Sequence, residues 1–437
     1  MSHGEEMRRG TATRVVQRGR AQPKVIEADV CVLGAGIAGV SAALEAARLG
    51  RKVVLVDGAA QLGGQSVAAI IGTFCGLYSN GPEPFQVTHG IADEILHDLG
   101  AQGSLNYIRN RRRTTIVQYR EAALARWIEE AARRAGLTIV LSALLRDVQM
   151  DGRRVRRIAF VTRYGDVDVE AQGFVDATGD AALVWAANLP CREPETPIFG
   201  TQMLVLENLD DAAVAALDRT ELQRRLETKG DGYGLLRHDG FVFAVPGEGI
   251  ALVNMTHAET PLDPVMMATA QLFARKQGDL LLQFLQAEFP QAFARARIRS
   301  YGQLGIRQTR WIVGRHHLTA DEVRQGVRFP DAIGRCSWPI ELHDQPDGVL
   351  WEEFGPDHMH WIPLGSMLPP GADNLVAAGR CVDGDPAGLS SIRVMGPCIA
   401  MGAAAAHALD LAGSGAVGQI DITTLQQRLA DNLVRRD

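Results

Sequence analysis

The sequence predicts an α/β fold: a parallel sheet with an antiparallel β-meander, interrupted by an inserted α+β unit. Three observations predict it. A glycine-rich turn, Gly34-x-Gly36-x-x-Gly39, sits between a short apolar run rich in β-branched residues and an alanine-rich stretch. Three alternating segments follow between residues 143 and 171, joined by Asp151-Gly152 and Gly165-Asp166. After a change of composition near residue 190, a strand ending in glycine and running into an alanine-rich helix returns at Asn374.

The chain has 437 residues, long enough for a large core without disulfides. With 46% apolar and 22% charged residues, disorder is excluded for most of it. Lys plus Arg is 45 and Asp plus Glu is 51, a net charge of −6. That argues against a nucleic-acid binder, which needs a cationic face. Six cysteines without C-x-x-C or zinc spacing fit a reducing compartment, the cytoplasm. The longest weakly charged stretch, Val394–Leu409, is shorter than the roughly 18 residues of a membrane span. Residues 1–25, with Arg8, Arg9, Arg14, Arg18 and Arg20, are expected to be a disordered tail.

Order is expected from Ile26. Ala28–Leu33 reads as a buried strand, Val40–Leu49 as a helix stopped by Gly50, and Lys52–Val56 as a second strand ending at Asp57. This is a βαβ unit of about 30 residues, so the first unit is read as Rossmann-like. Gly34 makes the tight turn, Gly36 lets backbone approach a pyrophosphate, and Gly39 lets the helix pack closely. Ala35, Ile37 and Ala38 complete the loop. The helix N-terminus offers free N–H groups to phosphates, and Asp57, beside Gly58, can accept hydrogen bonds from a ribose. Arg120–Ala135 reads as an amphipathic helix and Leu137–Leu141 as a strand. Ala143–Gln149, Val155–Thr162 and Asp166–Ala171 form the meander, and Gly173–Ala177 a separate final strand. Helices are expected at Ala212–Thr228, Pro264–Gln286, Gly388–Leu411 and Thr423–Val434. The domains are therefore read as 26–190 and 366–437 for the nucleotide unit, with 191–365 as an inserted substrate domain.

Further along, Ala177, Thr178, Gly179 and Asp180 close an apolar strand, and Gly379 and Arg380 close another. Together with Leu62-Gly63-Gly64, Gly305–Arg310, Ile312-Val313-Gly314, Phe329–Ile333 and Ser391-Ile392-Arg393-Val394-Met395, these segments resemble the FAD-dependent oxidoreductase family. The resemblance includes the tricarballylate-dehydrogenase-like members and a distant kinship to glutathione-reductase-like flavoproteins. It covers roughly residues 28–410. It implies FAD as cofactor, with Gly63, Gly64 and Gln65 passing close to the flavin. It also implies Arg380 and Asp385 near the pyrophosphate and ribityl chain, and Ser390, Ser391 and Ile392 at a helix N-terminus beside the isoalloxazine. The reaction it implies is a hydride transfer from a small-molecule substrate to flavin N5, with the electron acceptor unassigned. A flavin monooxygenase or a non-catalytic FAD-binding protein is the alternative, and homo-oligomerisation stays open.

Two groups are candidates for chemistry. Among His316, His317, His343, His358 and His360, His360 is read as the proton-transfer residue, because it stands beside Trp361-Ile362-Pro363. No ligand spacing supports a metal site. Arg307 or Arg310 is read as a carboxylate clamp, with Arg393 facing the same cleft, against the plainer reading of ion pairing and packing. Arg109, Arg111, Arg112 and Arg113 are read as a solvated loop.

Overall fold

The computed structural model describes residues 13–17, 22–110 and 113–436. Most of the expected tail, and Arg111 and Arg112, lie outside them. The first strand opens earlier than expected. Lys24 and Val25 already pair with Val167 and Asp168.

Strand β1 (Lys24–Leu33), helix α1 (Ile37–Arg48) and strand β2 (Val53–Val56) form the βαβ unit, with Val30 to Leu33 in parallel register with Val53 to Val56. Both strand segments are fully apolar because helices cover both faces of a parallel sheet. Helix α2 (Glu121–Arg134) buries Leu124, Trp127, Ile128 and Ala131 as its apolar stripe and leads to β3 (Thr138–Val140), parallel to β2. The meander is β4 (Leu144–Asp151), β5 (Arg154–Thr162) and β6 (Gly165–Asp176).

The separate strand expected at Gly173–Ala177 is instead the second half of β6. Its length lets it serve two neighbours on one edge. Gly165 to Glu170 pairs antiparallel with β5, and Phe174 to Asp176 pairs parallel with a late strand, Leu375–Ala377, which returns from the far end of the chain.

Between these halves lies a four-stranded antiparallel sheet of β7 (Thr201–Glu207), β8 (Phe241–Val245), β9 (Ile250–Asn254) and β10 (Arg297–Gly305), in the order β8-β9-β7-β10. Helix α3 (Pro264–Glu288), capped by Asp263, covers one face with Leu281, Phe284 and Leu285 against Leu204, Leu206 and Val253. The other face turns towards the nucleotide unit. A Cβ on Gly302 would stand 2.5 Å from the Ala69 carbonyl, so backbone meets backbone there.

The C-terminal helix expected over Gly388–Leu411 is two helices, α4 (Pro386–Ile392) and α5 (Met395–Ala412). Pro397 is the reason. It has no N–H for the Arg393 carbonyl, and its ring clashes with a carbonyl four residues back, so Val394 is extended (φ −73°, ψ 165°). Helix α5 reaches 18 residues and is long and apolar enough to cross a membrane, but 78% of it is buried inside the protein. It lies against α1 as a core helix. Gly402 lets the two backbones touch, and the Ser41 hydroxyl donates to the Ile399 carbonyl at 2.8 Å.

Candidate active site

A cavity of about 630 Å³ runs from the β1–α1 turn and Asp57 to the inner edge of the antiparallel sheet. At the first end its wall is backbone. Gly34, Gly36, Ile37 and Ala38 line it. A Cβ on Gly34 would collide with the Ala177 carbonyl at 2.3 Å, and one on Gly39 with the Gly34 carbonyl at 1.8 Å, so these two glycines set how tightly turn, helix and sheet pack. Gly36 differs. Its φ is −68°, and a Cβ there would meet no protein atom within 4 Å, because it would point into the cavity. Gly36 is the N-cap of α1 and no side chain caps it, so the first-turn N–H groups are free to face a ligand. Asp57 lines the same end, with its carboxylate accepting from the Ala35 and Ala59 amides. Gly58 and Gly64 line the wall too, and Gln65 ties the two units together by accepting from the Ile306 amide at 3.0 Å. Ala35, Gly39 and Gly63 stand one layer behind the lining.

Ala177, Thr178, Gly179 and Asp180 form the middle of the wall with Gly379 and Arg380. Asp176, fully buried, organises this turn. Its carboxylate accepts from the Thr178 hydroxyl and amide and from the Leu183 and Val184 amides. Arg380 reaches Asp180 at 3.0 Å, while its other terminal nitrogen, Nη1, is buried with no hydrogen-bond partner among the described residues.

The far end is made of side chains from scattered positions: Thr73, Cys75, Asn254, Gln303, Arg307, Glu341 and Arg393. Burial pushes Arg307 well below the ordinary guanidinium range, and Arg237 and Arg393 add to that push, while Glu341 and Asp239 oppose it. Arg393 is pushed down to about 10, again by burial first, and its Nε has no hydrogen-bond partner among the described residues. Arg237 is held by Asp239 and by Asn254 Oδ1 at 2.9 Å. Glu341 accepts from the Trp338 indole at 3.0 Å, and its other oxygen lies 3.2 Å from His343 Nε2.

Several expected site residues stand elsewhere. His360 is buried outside the cavity lining, against Ser391 Oγ at 2.9 Å and His358 at 3.2 Å, and burial pushes it down to about 3. Arg310 points away, paired with Glu193 at 3.1 Å and lying 4.1 Å over the Trp185 ring. Asp385 spends its carboxylate on the Gly388 and Ala320 amides as the cap of α4. Ser390 and Ser391 turn their hydroxyls to the Ala387 and Trp338 carbonyls, and Ile392 is core. The break at Pro397 puts Arg393, Val394 and Met395 on the cavity instead. Sequence reasoning missed Asn254, Gln303 and Glu341. Glu341 alone carried a signal, as an acid between two buried apolar residues, Ile340 and Leu342.

A phosphate-bearing ligand of dinucleotide length fits this wall. The uncapped helix start, the open space at Gly36 and the Arg380 side chain all border one elongated cavity. No protein of curated function is similar enough in sequence to match the chain. Among solved structures it is similar to the geranylgeranyl bacteriochlorophyll reductase-like protein of Thermoplasma acidophilum, at 14% identity and a TM-score of 0.48 over 93% of this chain and 83% of that one. It is similar to a triple mutant of the flavin-dependent brominase Bmp2, at 13% identity and a TM-score of 0.47 over 92% and 84%. The p-nitrophenol 4-monooxygenase of Pseudomonas putida shows 11% identity and a TM-score of 0.45 over 94% and 85%. The model of the FAD dependent oxidoreductase family matches residues 29–429, and with that match the chain belongs to this family of oxidoreductases and takes FAD as its cofactor.

Proposed function

We propose that this FAD-dependent oxidoreductase is a dehydrogenase or oxidase that removes a hydride from a small carboxylate-bearing substrate. The bound FAD supplies a two-electron acceptor. The rest falls to the chain. The Gly34–Ala38 turn and the start of α1 hold the pyrophosphate, Asp57 meets the ribose, and Arg380 meets the phosphates. Six unpaired cysteines support a reducing compartment, the cytoplasm.

The observation that carries the substrate class is the buried cationic end. Arg307 and Arg393 face the cavity with Glu341 as the carboxylate beside them, while Asp239 is engaged by Arg237. Buried guanidinium groups that repel one another are relieved by an anion, and guanidinium binds carboxylate in a bidentate fork. A substrate carboxylate here is anchored beside the flavin end of the cavity, with water displaced.

The purified yellow protein, kept free of oxygen, is mixed with a panel of small mono- and dicarboxylates, and flavin absorbance is followed. Bleaching by a carboxylate without nicotinamide is expected. Arg307→Ala should lower kcat/KM for that compound about tenfold to a hundredfold, the equivalent of roughly 1.5–3 kcal/mol for one charge-assisted hydrogen bond, with FAD retained. Bleaching by a reduced nicotinamide alone, or a variant with unchanged kcat/KM and a lower melting temperature, overturns the reading.

A further inference from the structure

A chain of hydrogen-bonding groups runs inward from the cavity: Glu341 Oε1, His343 Nε2 at 3.2 Å, then His343 Nδ1 to His257 Nε2 at 2.9 Å, then His257 Nδ1 to the Pro346 carbonyl at 2.9 Å. Both imidazoles are fully buried. The far end fixes the order of protons along it. A carbonyl oxygen only accepts, so His257 Nδ1 carries the hydrogen. A neutral imidazole carries one hydrogen, so His257 Nε2 accepts, and His343 Nδ1 must donate to it. His343 Nε2 is then bare, and it faces a carboxylate oxygen. Two lone pairs cannot share that contact without a proton between them.

We propose that Glu341 and His343 together hold one transferable proton at the wall of the cavity, and that this pair is the acid–base group of the reaction, Glu341 exchanging the proton and His343 and His257 positioning it. The inference rests on the substrate being received at the arginine end. In the oxidative direction the substrate's C–H bond breaks, and its hydride goes to the oxidised cofactor. The pair first releases its own proton to solvent; the bond to the substrate's second hydrogen then breaks, and that proton goes to the freed Glu341 carboxylate. The substrate gains a double bond, and the new O–H donates to His343 Nε2.

The surroundings disfavour a second proton on either imidazole. His343 is pushed down by burial and then by Arg307, Arg237, His257 and Arg393. His257 is pushed down to about 2 by burial, then by Arg237 and Arg307. Glu341 itself is faced by Trp338 from the loop before its strand, by Arg307 just after β10, by Arg393 after α4 and by the Cys75 thiol.

Infrared difference spectra and nitrogen-15 histidine resonances of the FAD-loaded protein, titrated across the physiological pH range, test the pair without any substrate. A protonated carboxyl carbonyl band is expected, absent from Glu341→Gln at every pH, with His343 Nε2 unprotonated and accepting. Gln is the right variant because its amide N–H can donate to His343 and its carbonyl can accept from Trp338, so the fold is kept. With a reducing carboxylate in hand, the rate of flavin reduction should rise with pH along a single-proton limb, and Glu341→Gln should lose that limb and at least a hundredfold in rate. A carboxyl band that survives in Glu341→Gln, or no such band in the parent protein, overturns the proposal and leaves the arginine reading standing. A band that behaves as expected while no carboxylate bleaches the flavin overturns the arginine reading instead.

Discussion

At the glycine end of the cavity the wall is main chain from one stretch, Gly34 to Ala38, with Asp57 closing it about twenty residues later. At the arginine end it is side chain: Thr73 and Cys75 from one segment, Asn254 and Gln303 from the inserted sheet, Glu341 from a short strand, Arg393 from a helix break. On the proposed reading the contrast follows from what each end would hold. A pyrophosphate is recognised by N–H groups and close approach, which any chain of the right shape supplies. A particular substrate is recognised by charge and hydrogen-bond pattern, which only particular side chains supply.

The largest effect should come from the backbone end. Gly36→Val puts a side chain where no protein atom stands within 4 Å and where φ, at −68°, is ordinary for valine. The expected outcome is a colourless protein with no bound flavin and an apoprotein melting temperature equal to that of the parent stripped of FAD. Flavin absorbance per chain checks it, and a variant that keeps a full complement of FAD would move the pyrophosphate away from this turn and dissolve the contrast.

A second, intermediate effect belongs to neither end. His360 is held near 3, against an ordinary 6.5. Between those values the unfolded chain binds a proton that the folded one refuses, so stability is lost as pH falls from 6.5 towards 3, by about 1.4 kcal/mol per pH unit for one group. His360→Gln, which can still bond Ser391, should flatten the acid limb of the stability curve by one proton while flavin content and flavin reduction stay unchanged. Denaturant unfolding at several pH values reads the slope. A change in reduction rate instead would return His360 to the chemistry.

The smallest effect sharpens the arginine end. Arg310→Ala removes a half-exposed pair with Glu193 and a contact with the Trp185 face. A loss of at most about 1 kcal/mol in stability is expected, with kcat/KM unaltered. Its neighbour Arg307, three residues earlier, is expected to carry the large kinetic effect. Equal kinetic losses at both positions would mean that the cleft extends around β10.

The two ends also differ in how far they could be read before folding. Gly34, Gly36, Gly39 and Asp57 announce themselves because a turn, a phosphate loop and a ribose acceptor each demand a residue type at a fixed spacing, and local geometry delivers them to one place. His360 and Arg310 looked equally apt, being a histidine beside an apolar strand and an arginine near Arg307, yet spacing along a chain does not say which way a side chain points once a strand ends. Ser390 and Ser391 were displaced by a single residue, Pro397, whose effect four positions back broke one helix into two.

What the sequence by itself determined was the βαβ unit, the meander and the strand that opens at Asn374, because each rests on periodicity and on residues close in the chain, while the cofactor was what the family resemblance implied. Only the tertiary structure decided that β6 runs unbroken to join two neighbours, that Arg307 rather than Arg310 reaches the cavity, and that Glu341 stands against His343 and His257. Those contacts join residues far apart along the chain. Their partners are chosen by the packing of the inserted sheet on the nucleotide unit, where burial, not spacing, fixes which charge meets which.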